Sequence, residues 1–114
     1  MPELPDHDDL ATPLPPPRPE TFVSVDIETS GPTPGRYAML SIGACLVDAP
    51  ERGFYVELKP TSDLVVESAR AVGGLSLETL ARDGVEPTEA MTRFADWLDA
   101  EVPSGTVPVF VGFN

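Results

Sequence analysis

The sequence has few basic side chains. It contains 7 lysines and arginines against 19 aspartates and glutamates, which gives a formal net charge of −12. A protein that is held on a polyanion by a broad basic surface needs an excess of cations. The composition therefore argues against a histone-like or repressor-like binder, and any contact with a polyanion must be local. Divalent ions on carboxylates offer such a contact, because they reverse the sign of the local field.

Cysteine and histidine are also scarce, with one residue of each. Cys45 has no second cysteine with which to form a disulfide, and its apolar sequence neighbours predict that it packs in the core. His7 lies beside Asp6, Asp8 and Asp9. A metal cluster at this histidine is an alternative to a solvated segment, but it would require an ordered loop.

Long apolar runs are missing. No run approaches the roughly 18 to 20 residues that cross a bilayer, and the first residues are acidic where a secretory signal carries positive charge. We therefore expect a cytoplasmic protein that makes no membrane contact. The 114 residues, of which 41% are hydrophobic, suffice for one globular domain.

Proline is concentrated at the N-terminus. Residues 1–20 hold seven of the 14 prolines and five acids against one arginine. Such a segment buries little apolar surface, and its proline run favours extended polyproline II. We predict a disordered tail over residues 1–20, with docking to a proline-binding domain as the alternative, and a folded part over residues 21–114.

The folded part begins with three predicted strands. They span residues 22–27, 37–47 and 54–60, and residues 48–53 form the hairpin connection between the second and the third. The first strand is apolar on both sides, which is typical of a strand that is covered on both faces.

Helical patterns follow the strands. A short helix is predicted within residues 62–71 and another over 76–82 with Ser76 as its N-cap. A longer amphipathic helix is predicted to follow Thr88, which is its N-cap. A final apolar strand spans residues 107–114. A right-handed crossover through these helices would place this fourth strand parallel to the first. The expected fold class is therefore α/β, with a mixed sheet of three antiparallel strands and a parallel fourth.

Two acids stand at the end of the first strand. Asp26 and Glu28 are two residues apart, so in a strand they project from the same face, roughly 7 Å apart. Carboxylates in this position are costly to desolvate unless they are paired, and residues 19–35 contain no lysine or arginine. We interpret the pair as a metal site, the alternative being two solvated acids at a strand end.

Carboxylate oxygens favour Mg²⁺ or Mn²⁺ over zinc. Two such ions about 3.5 to 4 Å apart activate a water and stabilise the leaving oxygen of a displacement at phosphorus. The simplest assignment has Asp26 bridging both ions and Glu28 binding one of them. Both residues are thus the candidate metal ligands and catalytic residues, and phosphodiester hydrolysis is the natural reaction class.

The motif around these acids is Val25-Asp26-Ile27-Glu28-Thr29-Ser30-Gly31. It resembles the first motif, D-x-E-T-x-G after an apolar strand, of the DEDD superfamily of DnaQ-like 3′-5′ exonucleases, which have a ribonuclease-H-like fold. Three further segments match in the family's order, namely Met39 to Ala44, Phe54 to Pro60, and Gly74-Leu75.

The resemblance implies roles for further residues. Asp26 and Glu28 would hold the two catalytic metals, and Thr29, Ser30 and Gly31 would lie against the 3′-terminal nucleotide of a single-stranded nucleic acid. Asn114 matches the start of the family's second motif and is a further candidate for substrate binding.

The chain also departs from the family pattern. Ser41 and Gly73 stand where the family often has an acid and a histidine, and the chain stops at Asn114, before the aspartate of the second motif and the whole of the third. We therefore expect the N-terminal part of an exonuclease domain, truncated before the C-terminal elements and inactive by itself. Its uncovered sheet would favour self-association.

Two other functions fit the acid pair less well. A non-catalytic ribonuclease-H-like binding module would not require two acids at one strand end. A haloacid-dehalogenase-like phosphatase also carries paired acids, but that family has aspartate at the position of Glu28.

Overall fold

The computed structural model describes residues 13–64 and 75–112. Within these ranges the chain forms four strands and two helices. They are β1 (Glu20–Thr29), β2 (Met39–Leu46), β3 (Ala49–Glu57), α1 (Leu77–Asp83), α2 (Pro87–Glu101) and β4 (Val107–Gly112).

The four strands form one mixed sheet in the order β3-β2-β1-β4. β2 pairs antiparallel with β1 and with β3, whereas β4 pairs parallel with β1. Short connections produce antiparallel neighbours, and a connection through helices allows a parallel one. The predicted α/β fold with a parallel fourth strand is therefore confirmed.

Strand β1 is one of the two inner strands, and its successive side chains point alternately to the two faces of the sheet. Val23 is fully buried and Val25 is half-buried, and both point to the side that packs against α2, which we call the helix face. Phe22, Ser24 and Asp26 point to the other side and are exposed. The expectation that β1 is covered on both faces is therefore not met by the described residues, which cover the helix face alone.

The core lies between the helix face and the two helices. Ile42, Val56, Leu58 and Ala90 form one buried cluster, and Ala38, Leu40 and Leu80 form a second. Aromatic rings extend the first cluster across α2 and β3: the ring centroids of Phe54 and Phe94 lie 5.4 Å apart, and those of Phe54 and Trp97 lie 5.9 Å apart.

The helix starts test two capping predictions. Ser76 is the N-cap of α1, where its side chain accepts a hydrogen bond from the Thr79 amide at 3.4 Å, as predicted. Helix α2 begins at Pro87 after the N-cap Glu86, so the prediction of Thr88 as its N-cap is wrong. Proline has a helical φ built in and lacks only an amide that the first turn leaves unbonded, so it starts the helix two residues earlier.

The hairpin between β2 and β3 is tighter than predicted. β3 begins at Ala49, so the turn comprises Val47 and Asp48 instead of residues 48–53. Leu46 pairs with Ala49 while Cys45 pairs with Gly53, and the surplus residues of β3 are accommodated as an irregularity. Their polar, turn-like composition suggested a loop. An exposed position at the edge of the sheet nevertheless accepts polar residues within a strand.

Other boundaries shift by a few residues. β1 begins at Glu20, within the predicted tail, while residues 13–19 are exposed and have no regular secondary structure. Residues 62–64, at the start of the predicted helix 62–71, are not helical. The rest of that helix, His7 and its acidic neighbours lie outside the described residues. Neither described helix has the length and apolar character that a membrane crossing requires.

Gly84 occupies a crowded junction between α1 and the end of β3. A methyl group at this position would lie 2.5 Å from the Leu80 carbonyl oxygen and 2.6 Å from backbone atoms of Leu58 and Lys59. The same backbone is fixed by a hydrogen bond of 2.8 Å from the Lys59 amide to the Val85 carbonyl. No side chain can move aside to make room here.

We therefore predict that Gly84→Ala lowers the free energy of unfolding by about 1 to 3 kcal/mol, the usual cost of overpacking. Gly53→Ala is the matched control, because its nearest neighbour would lie at an ordinary 3.5 Å. Urea unfolding of both variants measures the difference. Equal midpoints for the two variants would show that this junction is not tightly packed.

Candidate active site

Asp26 and Glu28 lie at the carboxyl end of β1, on the face opposite the core. Asp26 is exposed and Glu28 is half-buried. Among the described residues, none of the ion pairs involves either carboxylate. The two acids that the sequence singles out therefore share one accessible face and have no basic partner within the described part of the chain.

The neighbouring strands extend this site into two rows. Glu28 pairs with Ser41 of β2, which pairs with Glu57 of β3. Asp26 pairs in the same way with Gly43, which pairs with Tyr55. Side chains at paired positions point to the same side of a sheet. These six residues therefore share one surface, which we call the acid face: Asp26, Glu28, Ser41, Gly43, Tyr55 and Glu57.

The loop after β1 places the three predicted substrate-binding residues differently. Thr29 is exposed, and its hydroxyl donates a 2.9 Å hydrogen bond to the Gly31 carbonyl. Ser30 is 1% exposed; its amide donates to the Ala38 carbonyl and its hydroxyl oxygen accepts from the Ala38 amide, both at 2.9 Å. Gly31 is buried against the ring of Tyr37, which leaves no room for a larger residue.

Asn114, the fourth predicted substrate contact, lies outside the described residues. Of the three that the structure describes, Thr29 alone presents an accessible side chain. Their contact with a nucleotide stays a prediction.

The acid pair fits part of a metal site. Carboxylate oxygens are the donors that hard divalent cations prefer, and two of them on one strand face can contact one ion or bridge two. Within residues 13–64 and 75–112, however, no group of three or more histidines, cysteines or acids is placed to hold a metal ion. Asp26 and Glu28 would thus supply a fraction of a coordination sphere, which other ligands or water must complete.

Comparison with known proteins places this geometry in context. No protein-family model matches the chain. The 3′-5′ DNA exonuclease Cap18 of Escherichia coli is 52% identical to it over 95 residues, which is 83% of this chain and 51% of that protein. The chain therefore spans about half the length of this curated relative.

Solved structures show the same fold at low identity. The nuclease domain of 3′hExo, a DEDDh family member bound to rAMP, has a TM-score of 0.66 and 10% identity, over 82% of this chain and 52% of that one. The product-bound structure of exonuclease I has a TM-score of 0.63 and 19% identity, over 85% of this chain and 22% of that one. The resemblance to the DnaQ-like exonucleases is confirmed. It covers part of their length.

A cleft of about 900 Å³ opens on the other side of this DnaQ-like sheet. Its lining is mostly apolar and includes Ile27 of β1, Met91 of α2, Phe110 of β4 and the loop of residues 31–35. Neither Asp26 nor Glu28 contributes to it. This cleft is thus lined by two of the predicted substrate residues, Thr29 and Gly31, but by neither of the two acids of the motif.

Cys45 also lies on the side of the sheet that faces away from the core. It pairs with Ser24 of β1 and is half-buried. The prediction that it packs in the core is therefore wrong for the described residues. The apolar run around it suggested burial, but every second residue of β2 points away from the helices.

Tyr55 and Glu57 are members of the acid face that sequence reasoning missed. The Tyr55 hydroxyl donates a hydrogen bond of 3.0 Å to the Glu57 carboxylate. Partial burial raises the pKa of Tyr55 above its ordinary value of 10.0, and the hydrogen bond and charge of Glu57 raise it further. The Glu28 charge adds to this pKa shift, whereas the polar side chain of Ser41 opposes it. The pKa of Tyr55 therefore depends on both glutamates of the Glu28–Ser41–Glu57 row.

This contact predicts a measurable pH dependence. Because the neutral phenol is favoured, Tyr55 should ionise above pH 10, and Glu57→Gln should lower its pKa by removing the nearby charge. The ultraviolet absorbance of tyrosinate, taken as the difference between the protein and its Tyr55→Phe variant, follows this one phenol. Ionisation of Tyr55 below pH 10 would contradict the observed contact.

Proposed function

We propose that this chain provides the first acidic motif of a metal-dependent 3′-5′ exonuclease, which hydrolyses the phosphodiester bonds of single-stranded nucleic acid from the 3′ end. The observation that carries this proposal is the position of Asp26 and Glu28, which lie together on an accessible face of the central strand of a DnaQ-like fold. The 52% identity to a protein named as a 3′-5′ DNA exonuclease supports it.

Asp26 and Glu28 would be ligands of two Mg²⁺ or Mn²⁺ ions. When bound, such ions activate water and stabilise the leaving oxygen of a displacement at phosphorus. Without a cation, the acid face carries three carboxylates, those of Asp26, Glu28 and Glu57, and repels a phosphate. Substrate binding at this face therefore depends on metal binding, which explains how a chain with a formal charge of −12 can act on a polyanion.

The 3′ end of the strand would lie beside these acids, near the loop that follows β1. Thr29 is the accessible residue there, while Ser30 and Gly31 shape the loop through buried contacts with Ala38 and Tyr37. This surface is the substrate site that we propose. A contribution from Asn114 remains part of the same prediction.

Removing either charge at the acid pair tests the proposal. We predict that Asp26→Asn and Glu28→Gln, which keep the side-chain shape, each lower the Mg²⁺-dependent release of mononucleotides by roughly 1,000-fold, because a bound metal contributes several kcal/mol to transition-state stabilisation. The measurement uses a 5′-labelled single-stranded oligonucleotide and the natural polypeptide that carries residues 1–114.

Asp48→Asn is the matched control for these variants. Asp48 is an exposed acid in the β2–β3 turn, at the opposite end of the sheet, so its loss should leave the rate unchanged. Undiminished hydrolysis by the Asp26 and Glu28 variants would overturn the proposed site. Oligonucleotide binding without any hydrolysis by the parent protein would favour the non-catalytic binding module instead.

Self-association is a further part of the proposal. β4 is the last strand of the described sheet, and Phe110 and Val111 are 55% and 46% exposed. An open edge with exposed apolar side chains favours pairing with another chain.

We predict that residues 1–114 sediment above the monomer mass, and that Val111→Lys shifts them toward the monomer because a charged edge opposes strand pairing. Sedimentation over a range of protein concentrations measures both. A monomer mass at every concentration would contradict this prediction.

A further inference from the structure

Tyr55 is an exposed aromatic residue on the acid face, and it has no role in holding the metal ions. Tyr55 is 61% exposed, more than Phe22 at 42% or Phe110 at 55%. It lies on β3, in the same cross-strand row as Asp26 of β1. Adjacent strands are about 4.8 Å apart, so this row spans roughly 10 Å from Asp26 to Tyr55.

The residue between them has no side chain. A methyl group at Gly43 would lie 3.8 Å from Cδ2 of Tyr55 and 3.9 Å from the Asp26 carbonyl oxygen. The Tyr55 ring therefore lies close above this glycine, and bare backbone forms the floor between the ring and Asp26. A flat group on this floor could contact the ring and at the same time reach the acid pair.

The ring is held in place before any ligand binds. Its hydroxyl is hydrogen-bonded to Glu57, two residues further along the same strand. This contact restricts the rotation of the ring. An aromatic side chain that is already oriented loses little conformational entropy when a ligand packs against it.

The surrounding charges select the kind of group that can pack there. Asp26, Glu28 and Glu57 all lie on this face, so an anionic group next to Tyr55 would be repelled. A neutral aromatic group would not. A nucleobase is such a group, and stacking on an aromatic side chain contributes about 1 to 3 kcal/mol per base with little regard to sequence.

In the described part of the chain, most basic side chains are paired with acids, which reduces their affinity for a nucleic-acid strand. Four of its six lysines and arginines pair with acids within 4.0 Å, in the pairs Arg52–Glu101, Lys59–Glu86, Arg82–Asp83 and Arg93–Glu89. Contacts with the phosphate backbone through cations are correspondingly reduced. Besides bound metal ions, a single-stranded substrate can then gain affinity from contacts that do not depend on positive charge.

We propose that Tyr55 is a substrate-binding residue, whose ring stacks on a base of the single-stranded nucleic acid while a phosphate of that strand lies at Asp26 and Glu28. Gly43 provides the floor under the base, and Glu57 orients the ring. This inference rests on the proposed exonuclease function and adds to it a base-binding position.

Three variants distinguish the contribution of the Tyr55 ring to substrate binding from that of its hydroxyl, and from the general effect of losing an exposed aromatic side chain. Tyr55→Leu should raise KM for a single-stranded oligonucleotide by roughly 5- to 150-fold, the equivalent of one stacked base. Tyr55→Phe keeps the ring and should stay within about threefold of the parent protein. Phe110→Leu is the matched control, because Phe110 is similarly exposed but packs against Phe94 on the helix face. Thermal melting verifies that each variant is folded.

Abasic substrates then locate the contact. An oligonucleotide that lacks one base, at the first, second or third position from its 3′ end, should bind the parent protein more weakly at one of these positions. At that position, removing the base should not weaken binding by the Tyr55→Leu variant any further, because the variant has already lost the contact. This is the coupling expected of a direct contact. A merely structural role for Tyr55 would weaken binding of all substrates equally.

The outcomes distinguish this inference from the function on which it rests. If the parent protein hydrolyses the oligonucleotide and Tyr55→Leu matches it, or if no abasic position couples to Tyr55, the stacking role is overturned while the exonuclease function stands. If the parent protein neither binds nor hydrolyses single-stranded substrates with Mg²⁺ or Mn²⁺, the proposed function fails, and the stacking role fails with it.

Discussion

Strand β1 is paired along both edges, antiparallel to β2 and parallel to β4. Its backbone is therefore held on two sides, and its helix face is buried through Val23 against the core. A slip of one residue in either register would turn Val23 outward and Asp26 inward, because successive side chains point to opposite faces. The burial of Val23 thus fixes the register of β1, and this register keeps the acids on the solvent-facing side. The other residues of the site take their positions from the same register.

The acid face follows from β1 through pairing alone. The registers of the two strand pairs align Glu28 with Ser41 and Glu57 across the sheet. They align Asp26 with Gly43 and Tyr55 in the same way. Ser41 is 3% exposed between two glutamates, where DnaQ-like proteins often have another acid. A serine at this position keeps the charge of the face lower, and its hydroxyl contributes to the surroundings of Tyr55. The face therefore combines carboxylates for a cation with a polar aromatic group for an uncharged partner.

The elements that sequence reasoning placed correctly are those whose pattern is local. The extended apolar run of β1, the Ser76 cap and the apolar stripe of α2 each depend on residues a few positions apart. The errors arose where two local signals competed. Pro87 and Thr88 both favour a helix start, and the polar residues after Ala49 resemble a loop although they continue a strand at the sheet edge. Such conflicts are decided by the packing of neighbouring elements, to which local propensity is a weak guide.

The shared face of Asp26 and Glu28 follows from their two-residue spacing alone, because the geometry of an extended backbone places residues i and i+2 on the same side. The sequence also determined that the chain resembles the DnaQ-like proteins, since the motif and the segments after it stand in the family's order. The residues that surround the acids, in contrast, depend on how the strands pair in three dimensions. Tyr55 and Glu57 lie nearly thirty positions from Asp26 and Glu28 in the chain, and the hydrogen-bond registers of two strand pairs bring them to the same surface. Those registers depend on a turn and a strand irregularity near Leu46 and Ala49, which the spacing of the sequence does not reveal.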